Sequence, residues 1–393
     1  MILSKKSASL TLTSVLISGI YGMGLLAYLP RYLLHHKFEI TLIQIILTCF
    51  VFTTMIFPPL VGKYSDKLQR RSFFFKIGSI GINFALLILS LTFNLTILVI
   101  IIFFYGFFWA CDMMKFVLYS ELVESDHRLI AYYNAVLAMG WFLGAFLTGI
   151  VIDIFGIETY FQFLLIVSLI NTCVILFLKE NRALILERHE KFNNENRNDL
   201  TLTNQRENNK ISKSIYPSLF FRNFAVRPIF AIIAILMFYH LPNDTQIGFL
   251  IGINFLIQVF LNILLGHIIT NKNIKWIMII GYILSTITIF GWIISTDFWS
   301  FLLYQILISL SFAMFSTATQ IYISQNTTPK NKGKYLGYMN SSSQLGTFSG
   351  GILFTFLLFV YSDYYPAMWF MIIFPTFSAL IILIKFDKEH DNN

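Results

Sequence analysis

The sequence predicts an all-α membrane protein with twelve transmembrane helices arranged as two pseudo-symmetric six-helix bundles. The prediction rests on the composition, on apolar runs of about 20 residues between short polar turns, and on an internal repeat. Of the 393 residues, 56% are hydrophobic and 12% are charged, and the mean hydropathy is +0.71. Because soluble globular proteins carry about 25% charged residues, the composition excludes that class and makes the lipid bilayer the expected surroundings.

Each apolar run is long enough to cross a bilayer as a helix. Predicted spans 1 to 6 cover Leu10–Leu34, Thr41–Val61, Phe73–Phe93, Leu95–Tyr119, Ile130–Ile154 and Thr159–Leu178. Predicted spans 7 to 12 cover Leu219–His240, Gln246–Ile269, Trp276–Ser295, Trp299–Ser324, Gly333–Val360 and Ala367–Phe386.

A long polar segment separates the two sets of spans. Residues 179–217 are rich in Asn, Glu, Lys and Arg, so they cannot bury enough apolar surface to fold alone and are predicted to be a solvated linker. The expected organisation is an N-terminal bundle (1–178), this linker (179–217), a C-terminal bundle (218–386) and a short tail (387–393).

The loop cations predict the orientation. If the N-terminus is cytoplasmic, the loops on that side carry almost all of the Lys and Arg, and the other side carries only Arg31 and Lys37. Since cytoplasmic loops are enriched in cations, we expect a cell-membrane protein with both termini in the cytoplasm. The net charge of +8 is then explained by topology, and no nucleic-acid partner is expected.

The two halves are related in sequence. The segment Leu143–Gly149 aligns with Leu345–Gly351 at an offset of 202 residues, and Gly62 matches Gly266 at nearly the same offset. A near-constant offset indicates a duplication of a six-helix unit.

The turn from Gly62 to Arg71 is strongly basic and has one acid. It resembles the signature between the second and third helices of the major facilitator superfamily, roughly G-x-x-x-D-[RK]-x-G-R-[RK]. The matching positions are Gly62, Asp66, Lys67, Arg70 and Arg71, and Gln69 replaces the second glycine. With the duplication and the linker, the resemblance covers almost the whole chain. It implies a monomeric carrier of a small-molecule substrate that works by alternating access.

The resemblance also implies a cytoplasmic gate, in which Asp66 faces the N-terminus of span 11 and Gly62 lets two helices approach closely. Its candidate residues are Gly62, Asp66, Arg70, Arg71, Glu121 and Arg128. The alternative is that these charges only set the topology.

Asp112 and Lys115 lie inside span 4, on one helix face at spacing i, i+3. Charges within a membrane span are costly and indicate a functional site, so we expect a role in substrate binding or coupling, with Trp109 near the same helix face. Tyr21, which lies at helical spacing with Ser14 and Ser18 in span 1, is a further candidate residue of the site. Asp112 is the candidate proton carrier, and protons are the candidate coupling ion. The alternatives are a structural ion pair and a Lys115 side chain that reaches the membrane surface.

Polar side chains also recur at helical spacing in the second half. Their members are Asn254, Gln258 and Asn262 in span 8, Gln305 in span 10, and Asn340 and Gln344 in span 11. Such amides need partners in hydrocarbon, so they are expected either to line a polar cavity or to bond neighbouring helices together. The charged and aromatic groups of the site are thus expected in the first half, and neutral polar groups in the second.

The chain has no phosphate-binding loop, no metal-ligand spacing among its histidines and no nucleophile–base motif, so we expect no cofactor, no metal and no enzyme activity. The aromatic, sparsely charged site favours efflux of an amphipathic or drug-like solute. Two departures from the superfamily's drug–proton antiporters weaken that assignment: Ala145 replaces a proline, and Ile102 replaces an arginine. A sugar or metabolite carrier is the close alternative, and a non-transporting receptor is a distant one.

Overall fold

The computed structural model describes residues 2–68, 70–91, 94–122, 127–178, 211–327 and 329–391, and within these ranges it contains helices and no strand. Within these ranges, the side chains of residues 2–6, 66, 121, 127–128, 130–131, 329–333 and 387–391 are not described. The first seven helices are α1 (Ile2–His35), α2 (Ile40–Leu68), α3 (Arg71–Leu91), α4 (Leu95–Asp112), α5 (Met114–Leu122), α6 (His127–Phe155) and α7 (Tyr160–Leu176). The other eight are α8 (Ile215–Ala231), α9 (Ile233–Phe238), α10 (Asp244–Ile268), α11 (Ile274–Ile294), α12 (Phe298–Gln325), α13 (Pro329–Tyr361), α14 (Tyr364–Met371) and α15 (Ile373–Asp391).

Eleven segments of the described residues are long and apolar enough to cross a membrane, and they coincide with predicted spans 1 to 6 and 8 to 12. Predicted span 7 is present as α8 and α9, which are separated at Ile232. Pro228 lies one turn before the break. Because proline has no N–H to donate to the carbonyl four residues earlier, it weakens the helix at this point.

The polar linker ends earlier than the sequence predicts. Ile211, Ser212 and Ser214 are buried and α8 begins at Ile215, so the prediction that the linker reaches residue 217 is wrong at its end. The rest of the predicted linker, residues 179–210, lies outside the described residues.

Local chemistry sets other helix ends. Span 4 is divided at Met113 into α4 and α5, and span 12 is divided at Ile372 into α14 and α15. Asp297 caps the start of span 10, where its carboxylate accepts hydrogen bonds from the backbone N–H groups of Trp299 and Ser300. Hydrogen bonds from Ser300, chiefly from its backbone N–H, hold the pKa of Asp297 below its usual value.

The packing of the first six spans is repeated by the second six. Span pairs 1–5, 1–6, 2–4, 3–4 and 3–6 pack together in the first half, and pairs 7–11, 7–12, 8–10, 9–10 and 9–12 in the second. Two glycines make the same contact: a β-carbon on Gly144 would overlap the carbonyl oxygen of Ile20, and one on Gly346 would overlap that of Phe220. Between the halves, span 5 packs on span 8 and span 2 on span 11.

Candidate functional site

A closed ring of polar side chains, here called the N-half network, lies among spans 1, 4 and 6 in the first half of the chain. Lys115 Nζ is 2.7 Å from Asp112 Oδ2 and donates to Ser14 Oγ at 3.2 Å. Ser14 donates to Asn171 Oδ1 at 2.7 Å, and Asn171 Nδ2 donates to the Tyr21 hydroxyl at 3.3 Å. Tyr21 completes the ring by donating to Asp112 Oδ2 at 3.4 Å. The ring therefore joins spans 1, 4 and 6 around one ion pair.

The N-half network is sealed from solvent. Asp112 is 5% exposed and Lys115 is 1% exposed, so the alternative in which Lys115 reaches the membrane surface is wrong. Asp112 Oδ1 has no hydrogen-bond partner among the described residues. Trp109 is half-buried, packs over Gly22 and stacks on Tyr105 with ring centroids 6.4 Å apart. The i, i+3 spacing thus predicts the pairing of Asp112 with Lys115. Both side chains are buried in the protein interior and do not reach the membrane surface.

Two arginines in span 7, here called the C-half arginines, are Arg222 and Arg227. Neither was among the predicted site residues, although an arginine inside a predicted span indicates a functional site. The second half therefore contains two cations in addition to the neutral polar groups expected there from the sequence.

Arg222 is 2% exposed and has only neutral partners among the described residues. Its Nε donates to Ser285 Oγ at 3.1 Å, and its Nη1 donates to Asn223 Oδ1 at 3.0 Å. The guanidinium carbon lies 4.5 Å from the ring centroid of Phe315, which is a cation–π distance. A buried cation without a carboxylate is costly, so its retention needs a reason.

Arg227 lies between the two halves and its side chain is exposed. It shares a small cavity with Gln44 and Thr48 of span 2 and with Thr347 and Gly351 of span 11. The guanidinium carbons of Arg227 and Arg222 each lie 5.8 Å from the ring centroid of Phe312 in span 10. Since spans 2, 7, 10 and 11 surround Arg227, its exposed surface belongs to an internal crevice.

Two of the three amides of span 8, Asn254 and Asn262, bond to span 10, and Gln258 bonds to Asn254 within span 8. Asn254 Oδ1 accepts from Ser309 Oγ at 3.0 Å and from Gln258 Nε2 at 2.5 Å, and Asn262 Oδ1 accepts from Thr317 Oγ1 at 3.1 Å. This arrangement matches the alternative in which the amides bond neighbouring helices together. In span 10 Gln305 is fully buried, and neither polar atom of its amide has a partner among the described residues.

The polar residues of span 11 follow one helix face towards Arg227. Asn340, Gln344 and Thr347 are spaced at i, i+4 and i+7, so they share that face. Asn340 is exposed, Gln344 is half-buried, and Thr347 lies in the cavity with Arg227. The structure thus brings Asn340 and Gln344 into line with Arg227 and separates them from the N-half network.

The two halves meet at the face that carries the turn between spans 1 and 2, here called the opposite face. Asp153, at the end of span 5, accepts from the backbone N–H groups of Asp244 and Thr245 at 2.9 and 2.8 Å and so caps span 8. Arg31 Nε is 3.7 Å from Asp244 Oδ1, and the Tyr28 hydroxyl donates to the Asp244 carbonyl.

Glycines let spans 5 and 8 approach closely at this face. A β-carbon on Gly248 would overlap the carbonyl oxygen of Ala145. A β-carbon on Gly252 would lie 2.9 Å from the carbonyl oxygen of Phe142. Such a fit leaves no room for a side chain, so the opposite face is closed in this structure.

The face that carries the basic turn 62–71, here called the basic face, is different. A β-carbon on Gly62, Gly266 or Gly337 would meet no described atom within 4 Å. Among the described residues, none approaches Gly62 closely enough to form the helix contact expected there from the sequence. Arg70 is exposed, and Arg71 is buried and donates to Ser65 Oγ at 2.9 Å. The side chains of Asp66, Glu121 and Arg128 lie outside the described residues.

The sequence profile of the Major Facilitator Superfamily matches residues 10–243 and 215–393. The chain belongs to the major facilitator superfamily. One sequence relative is an uncharacterized MFS-type transporter of Methanocaldococcus jannaschii, 23% identical over 307 residues, which are 76% of this chain and 77% of the relative.

Solved structures share the superfamily fold. The POT family transporter PepTSo matches with a TM-score of 0.79 at 9% identity, covering 99% of both chains. A POT family transporter in complex with 5-aminolevulinic acid gives 0.77 at 12% identity, covering 98% of this chain and 96% of that one. The nucleoside transporter NupG gives 0.73 at 12% identity, covering 98% and 99%. This major facilitator protein is therefore a membrane transporter by family and by fold.

Proposed function

We propose that this chain is a secondary transporter that moves a small polar organic solute by alternating access, seen here open to the cytoplasm. In this proposal twelve spans form two six-helix bundles, and span 7 crosses as the broken pair α8 and α9. The excess of cations on the basic face assigns that face to the cytoplasm. The membrane is then the cell membrane and both termini are cytoplasmic.

One observation carries the proposal: the halves pack closely at the opposite face, three glycines near the basic face have no described atom within 4 Å, and an exposed arginine lies between the halves. Glycines at 248 and 252 are packed against span 5, whereas those at 62, 266 and 337 face no described atom within 4 Å. A carrier that alternates between two states needs this asymmetry, and needs it to reverse during transport.

The crevice supports a polar solute over the drug-like solute that the sequence favours. Arg227, Gln44, Thr48 and Thr347 come together there, and they offer a cation, an amide and two hydroxyl groups. A hydrophobic cation would meet an uncompensated guanidinium at this place, which costs binding free energy. The metabolite carrier is therefore the form of the proposal that the crevice supports best.

Proton coupling through Asp112 is part of the proposal. Its carboxylate bonds to Lys115 and Tyr21 while Oδ1 has no partner among the described residues, so a proton on Oδ1 would leave both contacts possible. We expect Asp112→Asn to remove the dependence of transport on a pH gradient while exchange of labelled for unlabelled solute continues. An unchanged pH dependence at full rate would contradict the coupling role.

The transport proposal is tested in proteoliposomes. Compounds that raise the melting temperature of the purified full chain are assayed for counterflow, in which labelled solute accumulates against unlabelled solute inside. Gly248→Leu should abolish accumulation because it prevents closure of the opposite face, and Ile263→Leu, at an exposed position of the same span, should not. Equal accumulation with both variants, or none with the wild type, would overturn the proposal.

A further inference from the structure

We propose that Arg227 binds an anionic group of the transported solute, a carboxylate or a phosphate, whose neighbouring hydroxyl or amine groups donate to span 2 and span 11. The inference rests on the proposed transport function and adds the chemical class of the solute.

The charges in the membrane core do not balance. Among the described residues of the core, Asp112 is paired with Lys115, whereas Arg222 and Arg227 have no carboxylate within ion-pair distance. A guanidinium stays protonated in proteins, so neither arginine can lose its charge by releasing a proton. The core therefore holds three cations and one carboxylate, and an incoming anion would offset this excess.

Arg227 is the cation that a solute can reach. Its side chain is exposed, whereas Arg222 is 2% exposed and is held by Ser285 and Asn223. In α8, the residues between Ile215 and Arg227 span about 18 Å at 1.5 Å each, which places Arg227 near the middle of a bilayer. A guanidinium presents two parallel N–H donors that match a carboxylate or phosphate. Arg222, behind the shared ring of Phe312, adds positive potential without contact.

The groups around Arg227 are hydrogen-bond acceptors. The hydroxyl of Thr48 already donates to the Gln44 carbonyl at 2.8 Å, and that of Thr347 to the Ser343 carbonyl at 2.9 Å, so both can only accept from a solute. An anion alone would leave these acceptors unused. A hydroxy acid, an amino acid or a sugar phosphate has both the anion for Arg227 and donors for these acceptors.

The inference is tested with matched compounds and matched variants of the full-length protein. The compounds are gluconate, glucose 6-phosphate, glucose, glucosamine, serine and serine amide, together with acetate and inorganic phosphate at constant ionic strength. The variants are Arg227→Gln, Arg227→Lys and the control Lys272→Gln, which removes one exposed cation from a turn outside the crevice. Binding is measured as the shift in melting temperature with compound concentration.

We expect anions with donor groups to stabilise the wild type and the Lys272→Gln variant more than their neutral partners do. Arg227→Gln should weaken that binding at least tenfold, and Arg227→Lys should weaken it less, because the ammonium keeps the charge but not the paired donors. Binding of gluconate or serine would indicate that Arg227 binds a carboxylate. Binding of glucose 6-phosphate would indicate that it binds a phosphate. Stabilisation by neutral or cationic compounds alone, equal binding to Arg227→Gln, or no stabilisation by any anion would overturn the inference.

Counterflow separates this inference from the transport proposal. If a neutral solute is transported at the wild-type rate by Arg227→Gln, the anion site is wrong and the transporter stands. If an anion binds through Arg227 and no solute accumulates, the site stands and the transport proposal fails.

Discussion

The two halves of the chain share a packing plan and differ in the partners they give to a buried cation. In the first half, Lys115 lies 2.7 Å from the carboxylate of Asp112. In the second, Arg222 has a serine hydroxyl, an amide oxygen and an aromatic ring as partners. Among the described residues, the first half therefore pairs its buried cation with a carboxylate, whereas the second half surrounds its buried cation with neutral groups.

The internal sequence repeat shows which residues of the two halves occupy corresponding positions. At the offset of 203 residues that relates span 4 to span 10, Asp112 corresponds to Phe315, which is the ring that receives Arg222. The glycine contacts relate span 1 to span 7 at an offset of 200, since Ile20 corresponds to Phe220. Trp109 packed on Gly22 then corresponds to Phe312 beside Arg222. Duplication has kept the helix contacts and exchanged the chemistry between them.

The largest effect should come from breaking the balanced pair. Asp112→Asn leaves Lys115 buried without a carboxylate, so we expect a loss of about 3–5 kcal/mol in the free energy of unfolding. Thermal unfolding in detergent measures it. The double variant Asp112→Asn/Lys115→Met should recover most of the loss, because it removes both charges. If Asp112→Asn alone is as stable as the wild type, the buried Lys115 does not need a carboxylate partner.

The shared packing should respond alike in both halves. Gly144→Ala and Gly346→Ala each place a methyl group against a backbone carbonyl oxygen, so each should cost about 1–3 kcal/mol. The melting temperatures of the two variants are compared with that of Gly266→Ala, which meets no described atom within 4 Å and should cost little. Widely different losses at positions 144 and 346 would contradict the common packing plan.

Serine partners of the two cations offer a smaller test. Ser14→Ala removes bonds to both Lys115 and Asn171, and we expect a loss of about 2 kcal/mol. Ser285→Ala removes bonds to both Arg222 and Ser311 and should cost less, about 1 kcal/mol, since Ser311 still donates to the Gly281 carbonyl. Chemical denaturation of both variants gives the order. A larger loss at Ser285 would mean that the second half depends more on its polar contacts than the first.

The smallest change in stability is expected at Arg222. Arg222→Met removes a buried charge that has no carboxylate partner, so stability should stay equal or rise by about 1 kcal/mol. Its melting temperature is measured beside that of Asp112→Asn. A loss above about 2 kcal/mol would indicate that Arg222 is balanced by its neutral partners alone and would remove the contrast between the halves.

The sequence predicts most of the helices because each span is an apolar run of the right length. The interval between Asp112 and Lys115 likewise predicts their pairing, since i, i+3 residues share a helix face. The partners Ser14 and Asn171 could not be predicted, because they are 157 residues apart and meet only through the packing of spans 1 and 6. The C-half arginines were visible in span 7, and counting every intramembrane charge would have found them.

The difference in packing between the opposite face and the basic face could not be predicted from the sequence either. An alternating carrier has two arrangements of the same helices, and the glycines at 62 and 248 are compatible with close packing in either one. Only the positions of their neighbours tell which face is closed.

Asp153 caps span 8 through hydrogen bonds whose acceptor and donors place different demands on the sequence of the two halves. The acceptor is a side chain of span 5, but the donors are backbone N–H groups at positions 244 and 245, which every amino acid except proline supplies. Evolution can therefore exchange nearly any residue at these two positions without losing the bonds, whereas one substitution at 153 by a residue without a side-chain acceptor, such as alanine, removes both hydrogen bonds at once.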